Sequence, residues 1–119
     1  MNTADEMKLM MESAESASGF LKALANENRL LLLCLLAGGE RSVTELESLL
    51  DLRQPTVSQQ LARLRADNLV SHRREGKTIY YSLASDEARQ IIDLLYHLFC
   101  VPTGKKSGRK PSNFGAAAE

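Results

Sequence analysis

The stretch Leu52–Val70, LRQPTVSQQLARLRADNLV, constrains this chain more than any other. Val57, Leu61 and Leu64 recur at i, i+4 and i+7, which puts them on one face of a helix. Thr56, Ser58, Gln59, Gln60 and Arg63 occupy the remaining surface, which is polar and nearly free of acids. Gln and Ser side chains both donate and accept hydrogen bonds, as the edges of bases require, and Arg supplies contacts to phosphate or guanine. Pro55 suits a first helical position, where its missing N–H costs nothing. The spacing predicts a helix over Pro55–Ala66 that stops near Asp67-Asn68. Such an outer face is what a DNA-recognition helix needs. An ordinary amphipathic surface helix carries the same apolar stripe, so the neighbouring segments decide between the two.

Upstream, Ser42-Val43-Thr44-Glu45 has the form of a capping box. It opens a short helix with Val43, Leu46, Leu49 and Leu50 turned inward. Asp51-Leu52-Arg53 is a tight turn, so helix, turn and polar-faced helix follow in the helix-turn-helix arrangement. Downstream, Ile79, Tyr81 and Leu83 alternate with Thr78, Tyr80 and Ser82, the period of a strand. Glu75-Gly76 supplies the hairpin tip. Arg73, Arg74 and Lys77 crowd that tip, and a basic hairpin beside a helix-turn-helix is a wing, suited to the DNA backbone or the minor groove.

Charge supports this placement. The chain is neutral overall, with 15 Lys/Arg and 15 Asp/Glu. Residues 53–77 carry a net of +4, while residues 1–52 carry −5. A basic block that coincides with the polar-faced helix and hairpin is the footprint of a phosphate-binding face. The flanking segments complete a single domain over residues 1–101. Residues 3–24 read as a helix opened by Thr3 and Glu6, with a seam of Met7, Met10, Ala14, Ala17, Leu21 and Leu24. That seam packs either within one subunit or against a second one. Asn26 caps a nearly all-apolar helix over Glu27–Ala37, which Gly38-Gly39 ends. The last helix, residues 85–101, starts at Ser85 and is apolar over Ile91, Ile92, Leu94, Leu95, Leu98 and Phe99, more of its girth than one core can cover. A homodimer would cover it. The order is α-α-α-α-β-β-α, a mainly α winged helix-turn-helix. Residues 102–119 are basic, aperiodic and hold two prolines, and read as a disordered tail.

No apolar run approaches the ~20 residues of a membrane span, and no signal peptide is evident, which favours the cytoplasm. No catalytic grouping and no phosphate-cradling glycine loop is present, so neither an enzyme nor a bound cofactor is expected. Cys34 and Cys100 lie far apart in sequence with no C-x-x-C. By themselves they are either buried apolar residues or a reactive or metal-binding pair.

The order of helices, turn and wing over about Ala17–Cys100 resembles the ArsR/SmtB family of bacterial winged-helix repressors. The resemblance is carried by Leu24-Ala25-Asn26-Glu27-Asn28-Arg29-Leu30, by Leu52–Leu61 and by Gly76–Leu83. It implies a homodimer on an inverted-repeat operator in double-stranded DNA, released by an inducer, with Gln54, Ser58 and Gln59 at base-contacting positions. Gln59 stands where many members have His, and Pro55 where many have Ser. Two metal-sensing patterns of the family are broken here. Glu40–Leu50 has no cysteine, and Asp86-Glu87-Ala88 has no histidine. Asp93, His97 and Cys100 still share a helical face, which leaves a different metal site open. The contexts of Cys34 and Cys100 resemble the persulfide-sensing branch of the family, typified by BigR, SqrR and HlyU. That resemblance implies a redox pair that takes a persulfide or polysulfide as inducer, with a metal- or oxidant-responsive repressor as the alternative.

Overall fold

The computed structural model describes residues 3–100, so the expected tail over 102–119 lies outside the described residues. The elements run α1 (Thr3–Leu24), α2 (Glu27–Ala37), β1 (Arg41–Ser42), α3 (Val43–Leu50), α4 (Gln54–Ala66), β2 (Val70–Glu75), β3 (Thr78–Leu83) and α5 (Asp86–Phe99). This is the expected winged helix-turn-helix, with one strand that the sequence did not announce. β1 pairs antiparallel with β3, so the sheet order is β1-β3-β2 and the wing is anchored on one edge.

The helix ends follow from their capping residues. The Asn26 side chain accepts from the Arg29 N–H at 3.0 Å and opens α2. Ser42 and Glu45 form the reciprocal capping box of α3, at 2.8 and 3.1 Å. Ser85 Oγ accepts from the Ala88 N–H at 3.0 Å and opens α5. Thr3 is already helical rather than a cap. Both helices of the helix-turn-helix end alike. Asp51 (φ 54°) and Asn68 (φ 61°) take left-handed conformations, and the next residue, Leu52 or Leu69, returns its N–H to the last turn, at 3.2 Å on Glu47 and 2.9 Å on Leu64. Short polar side chains tolerate this conformation and let the leucine turn back to the core.

The core is Leu32, Leu33 and Leu36 of α2, Leu46 of α3, Val57, Leu61 and Leu64 of α4, and Ala88 and Ile92 of α5, closed by Leu69, Val70 and Tyr81. The stripe predicted on α4 is thus wholly buried. Leu49, expected inward, is 54% exposed. At ~100° per residue it lies about 60° beyond Leu46, on the side away from Val43 and Leu50. The hairpin turn falls on Gly76-Lys77, one residue later than expected, since Glu75 pairs with Thr78 and Gly76 has φ +66°. α5 ends at Phe99, with Cys100 as its cap. In the α1 seam only Leu24 is buried in the single chain; Met7, Met10, Ala14, Ala17 and Leu21 are exposed, as are Leu94 and Leu98 of α5.

One buried polar group ties three helices together. Arg29, 9% exposed, donates from Nε to the Ala23 carbonyl (2.6 Å) and from one terminal nitrogen to the Lys22 carbonyl (3.2 Å), both at the end of α1. Its other terminal nitrogen donates to Gln60 Oε1 on α4 at 3.0 Å. Replacing Arg29 with Met leaves those carbonyls and Gln60 without their donor. The variant should lose about 3 kcal/mol, read as a lower urea midpoint with an unchanged slope. An unchanged midpoint would remove Arg29 from this role.

Candidate nucleic-acid interface and cysteine pair

α4 presents its N-terminal half to solvent because its apolar stripe is pinned to α2 and α3. Its first turn contains no acidic residue, and Pro55 occupies the second helical position, where no intrahelical donor is needed. Gln54 and Gln59 are exposed, and Thr56 and Ser58 half-buried. Gln54 Nε2 donates to Ser58 Oγ at 2.6 Å, one turn along, so the two form one polar unit. A groove of about 190 Å³ opens between α3, α4 and β3, and Thr44, Gln54, Ser58, Lys77 and Thr78 line it. The structure therefore brings Gln54, Ser58 and the wing residue Lys77 to one surface.

The other expected contact residues divide differently. Gln60 has a partner inside the fold. It is half-buried, and its carbonyl is taken by Arg29 on the side facing α2. Arg63 is exposed but pairs with Asp67 at 2.9 Å. Such a surface pair is worth little and yields to a stronger anion. Arg73 is held by Glu40, with Nε and one terminal nitrogen each 2.8 Å from a carboxylate oxygen, and lies 4.5 Å from the centre of the Tyr80 ring. The hydrogen bond from Arg73 holds the Glu40 carboxyl below its usual pKa, and the same bond raises that of Arg73. Among the described residues, neither Arg74 nor Lys77 is in an ion pair. Arg65 donates to the His72 ring, 2.8 Å from Nε2, and that ring stacks on Tyr81, which braces α4 against the wing.

The cysteines lie on two packed helices, Cys34 within α2 and Cys100 at the end of α5. Both are half-buried at the edge of the same core, and they are not joined as a disulfide. Burial, and then the nearby Cys100 thiolate, push the Cys34 thiol up to about 11. α2 packs against α5, and both thiols lie against the same core cluster. Asp93, His97 and Cys100 are not gathered into a metal-ligating group, and no such group of three is found among the described residues. His97 Nδ1 instead donates to the Asp93 carbonyl oxygen at 2.9 Å.

Sequence reasoning missed Arg29, Glu40 and the cross-strand stack of Arg73 on Tyr80. The stack follows from the hairpin register, which pairs Arg73 with Tyr80. Glu40 had no local signal, because it reaches Arg73 across a sheet whose third strand has two residues.

Comparison with known proteins agrees with this architecture. Residues 26–72 match the model of the bacterial regulatory protein arsR family. The biofilm growth-associated repressor of Agrobacterium fabrum is 52% identical over 93 residues, 78% of this chain and 80% of that one. The structure of reduced HlyU from Vibrio cholerae superimposes with a TM-score of 0.77 at 46% identity, covering 79% of this chain and 99% of that one. BigR from Xylella fastidiosa gives 0.72 at 41% identity, covering 78% and 92%. The chain belongs to the arsR family of bacterial regulatory proteins: it is a DNA-binding transcriptional regulator and not an enzyme. No described helix is long and apolar enough to cross a membrane.

Arg74→Ala should weaken operator and random duplex alike and flatten the salt dependence, by about 0.9 in slope, whereas Gln59→Ala should relax sequence preference at a cost of ~1–3 kcal/mol. Intact operator discrimination in Gln59→Ala would move the reading face elsewhere. With Cys34 raised to about 11, its thiolate is scarce at neutral pH. Its alkylation, followed by peptide mass spectrometry, should accelerate about tenfold per pH unit with no plateau below pH ~10. The sign for stability is the same. A folded-state pKa above the usual 9.0 favours the fold fully below that value, and the contribution is lost as pH rises through about 11.

Proposed function

We propose that the chain is a persulfide-responsive repressor that binds its operator with Cys34 and Cys100 reduced and releases it when they are joined through additional sulfur. The observation that carries this is the placement of two half-buried free thiols, in α2 and at the cap of α5, against one core where these helices pack together. Repression accords with the naming of the Agrobacterium relative. The working form is a homodimer in the cytoplasm, with residues 1–101 as its DNA-binding and dimerisation domain and 102–119 as a basic tail. The exposed apolar residues of α1 and α5 supply the area to be covered. Two copies of α4 then enter successive major grooves of an inverted repeat, with half-site centres ~34–36 Å apart. Gln54, Ser58 and Gln59 read bases; Thr56, Arg63, Arg73, Arg74 and Lys77 serve the backbone.

The chemistry needs two thiols and a low-molecular-weight polysulfide. One thiolate attacks a sulfane sulfur and expels the shorter thiol or hydrosulfide, leaving a sulfur chain on cysteine. The second thiolate attacks within that chain and displaces hydrosulfide, so two thiols are oxidised as the polysulfide is reduced. Cys34 suits the second step, because proximity offsets its small thiolate fraction. The resulting link ties the central helix of the DNA-binding core to the end of the interface helix and alters the spacing of the two reading helices. A tenfold loss of operator affinity needs ~1.4 kcal/mol of differential binding. The competing reading, an oxidant sensor closing a plain disulfide, draws on the same proximity.

Intact mass separates the two. Polysulfide-treated protein should gain sulfur, lose both free thiols and release DNA. Cys34→Ser and Cys100→Ser should each fold, bind operator and fail to respond. Release by either serine variant, or a plain disulfide as the sole product, would reject the mechanism.

A further inference from the structure

The pairing of Glu40 with Arg73 resembles less a surface ion pair than an occupied phosphate site. Two parallel N–H···O bonds of 2.8 Å fill the Arg73 fork, the arrangement a guanidinium also makes with phosphate. The Tyr80 ring beneath fixes the plane of the fork, and Glu75 stands 3.5 Å from its remaining nitrogen. The placement is built into the sheet. β1 lies on the far side of β3 from β2, and Glu40 immediately precedes it, so its side chain continues the face shared by Ser42, Tyr80 and Arg73. Glu40 is therefore set beside the wing by the pairing of the next two residues, Arg41 and Ser42, with β3.

We propose that Glu40 is a specificity-determining residue: an internal stand-in for phosphate that withholds Arg73 from DNA until a backbone phosphate displaces it. The inference rests on the DNA-binding reading of the wing. Sequence-independent affinity grows with each cation that neutralises a phosphate, whereas base reading by α4 does not use Arg73. A carboxylate already in the fork turns one such contact into an exchange of one anion for another. It thereby lowers binding to random DNA more than binding to a site where α4 presses the wing onto the backbone.

The test uses full-length protein, a mixed-sequence duplex, and an operator duplex selected from a random library by the wild-type protein. Glu40→Gln should bind the mixed-sequence duplex several-fold more tightly at low salt, steepen its salt slope by about 0.9, and narrow the ratio of operator to random affinity. In an Arg73→Ala background the same substitution should leave the slope unmoved. A slope unchanged by Glu40→Gln alone, weaker binding by that variant, or an equal steepening without Arg73 would each overturn the proposal. Circular dichroism confirms that the variants are folded. Wild-type protein that bound no duplex would defeat the DNA reading itself, and this proposal with it.

Discussion

The buried Arg29 guanidinium is the contact on which the arrangement depends. A charge at 9% exposure is unfavourable unless every donor is met. Here the end of α1 meets it, where unsatisfied carbonyls and the negative end of the helix dipole lie, together with the Gln60 amide on α4. Burial lowers the Arg29 pKa first, and Arg63 adds to this, while Asp67 acts in the opposite sense. The fork has a fixed shape that a lysine cannot reproduce. It therefore sets how α1, α2 and α4 sit relative to one another.

The same logic sorts the other basic residues. Arg41 donates to the Leu35 carbonyl at 3.1 Å, and Arg89 to that of Ala37 at 3.1 Å, so both close the C-terminal end of α2. These arginines are structural parts of the fold and lie outside the basic block of residues 53–77. Inside that block, charge is again divided: Arg63 and Arg73 are each engaged by an acid, while Arg53, Arg65, Arg74 and Lys77 are in no ion pair among the described residues. A neutral chain can thus bind a polyanion, because what matters is where its unneutralised cations are collected.

Much of this was legible in the sequence because it is local. Ser42 with Glu45, Asn26 and Ser85 name their helix starts, and Val57, Leu61 and Leu64 name the buried side of α4. The failures are long-range. Nothing near Gln60 in the sequence announces its bond to Arg29, which lies far away along the chain. Arg73 looks uncommitted until β1 brings Glu40 across the sheet. Strand β1 escapes notice because two residues carry no periodicity. The cysteines were flagged by their contexts, but that they border one core is a property of how α2 packs on α5.

The left-handed residues Asp51 and Asn68 have a further bearing on how this chain can change. They stop α3 and α4 at fixed points, and Leu52 and Leu69 lock those stops to the core. A residue inserted between Gln54 and Asn68 would turn everything beyond it by ~100°. The buried stripe and the outward side chains would then fall out of phase, and Leu64 or Asn68 would have to leave its place. α4 is accordingly of set length. Its outward surface can change through exchange of side chains on a rotationally fixed rod, and not through insertion or deletion.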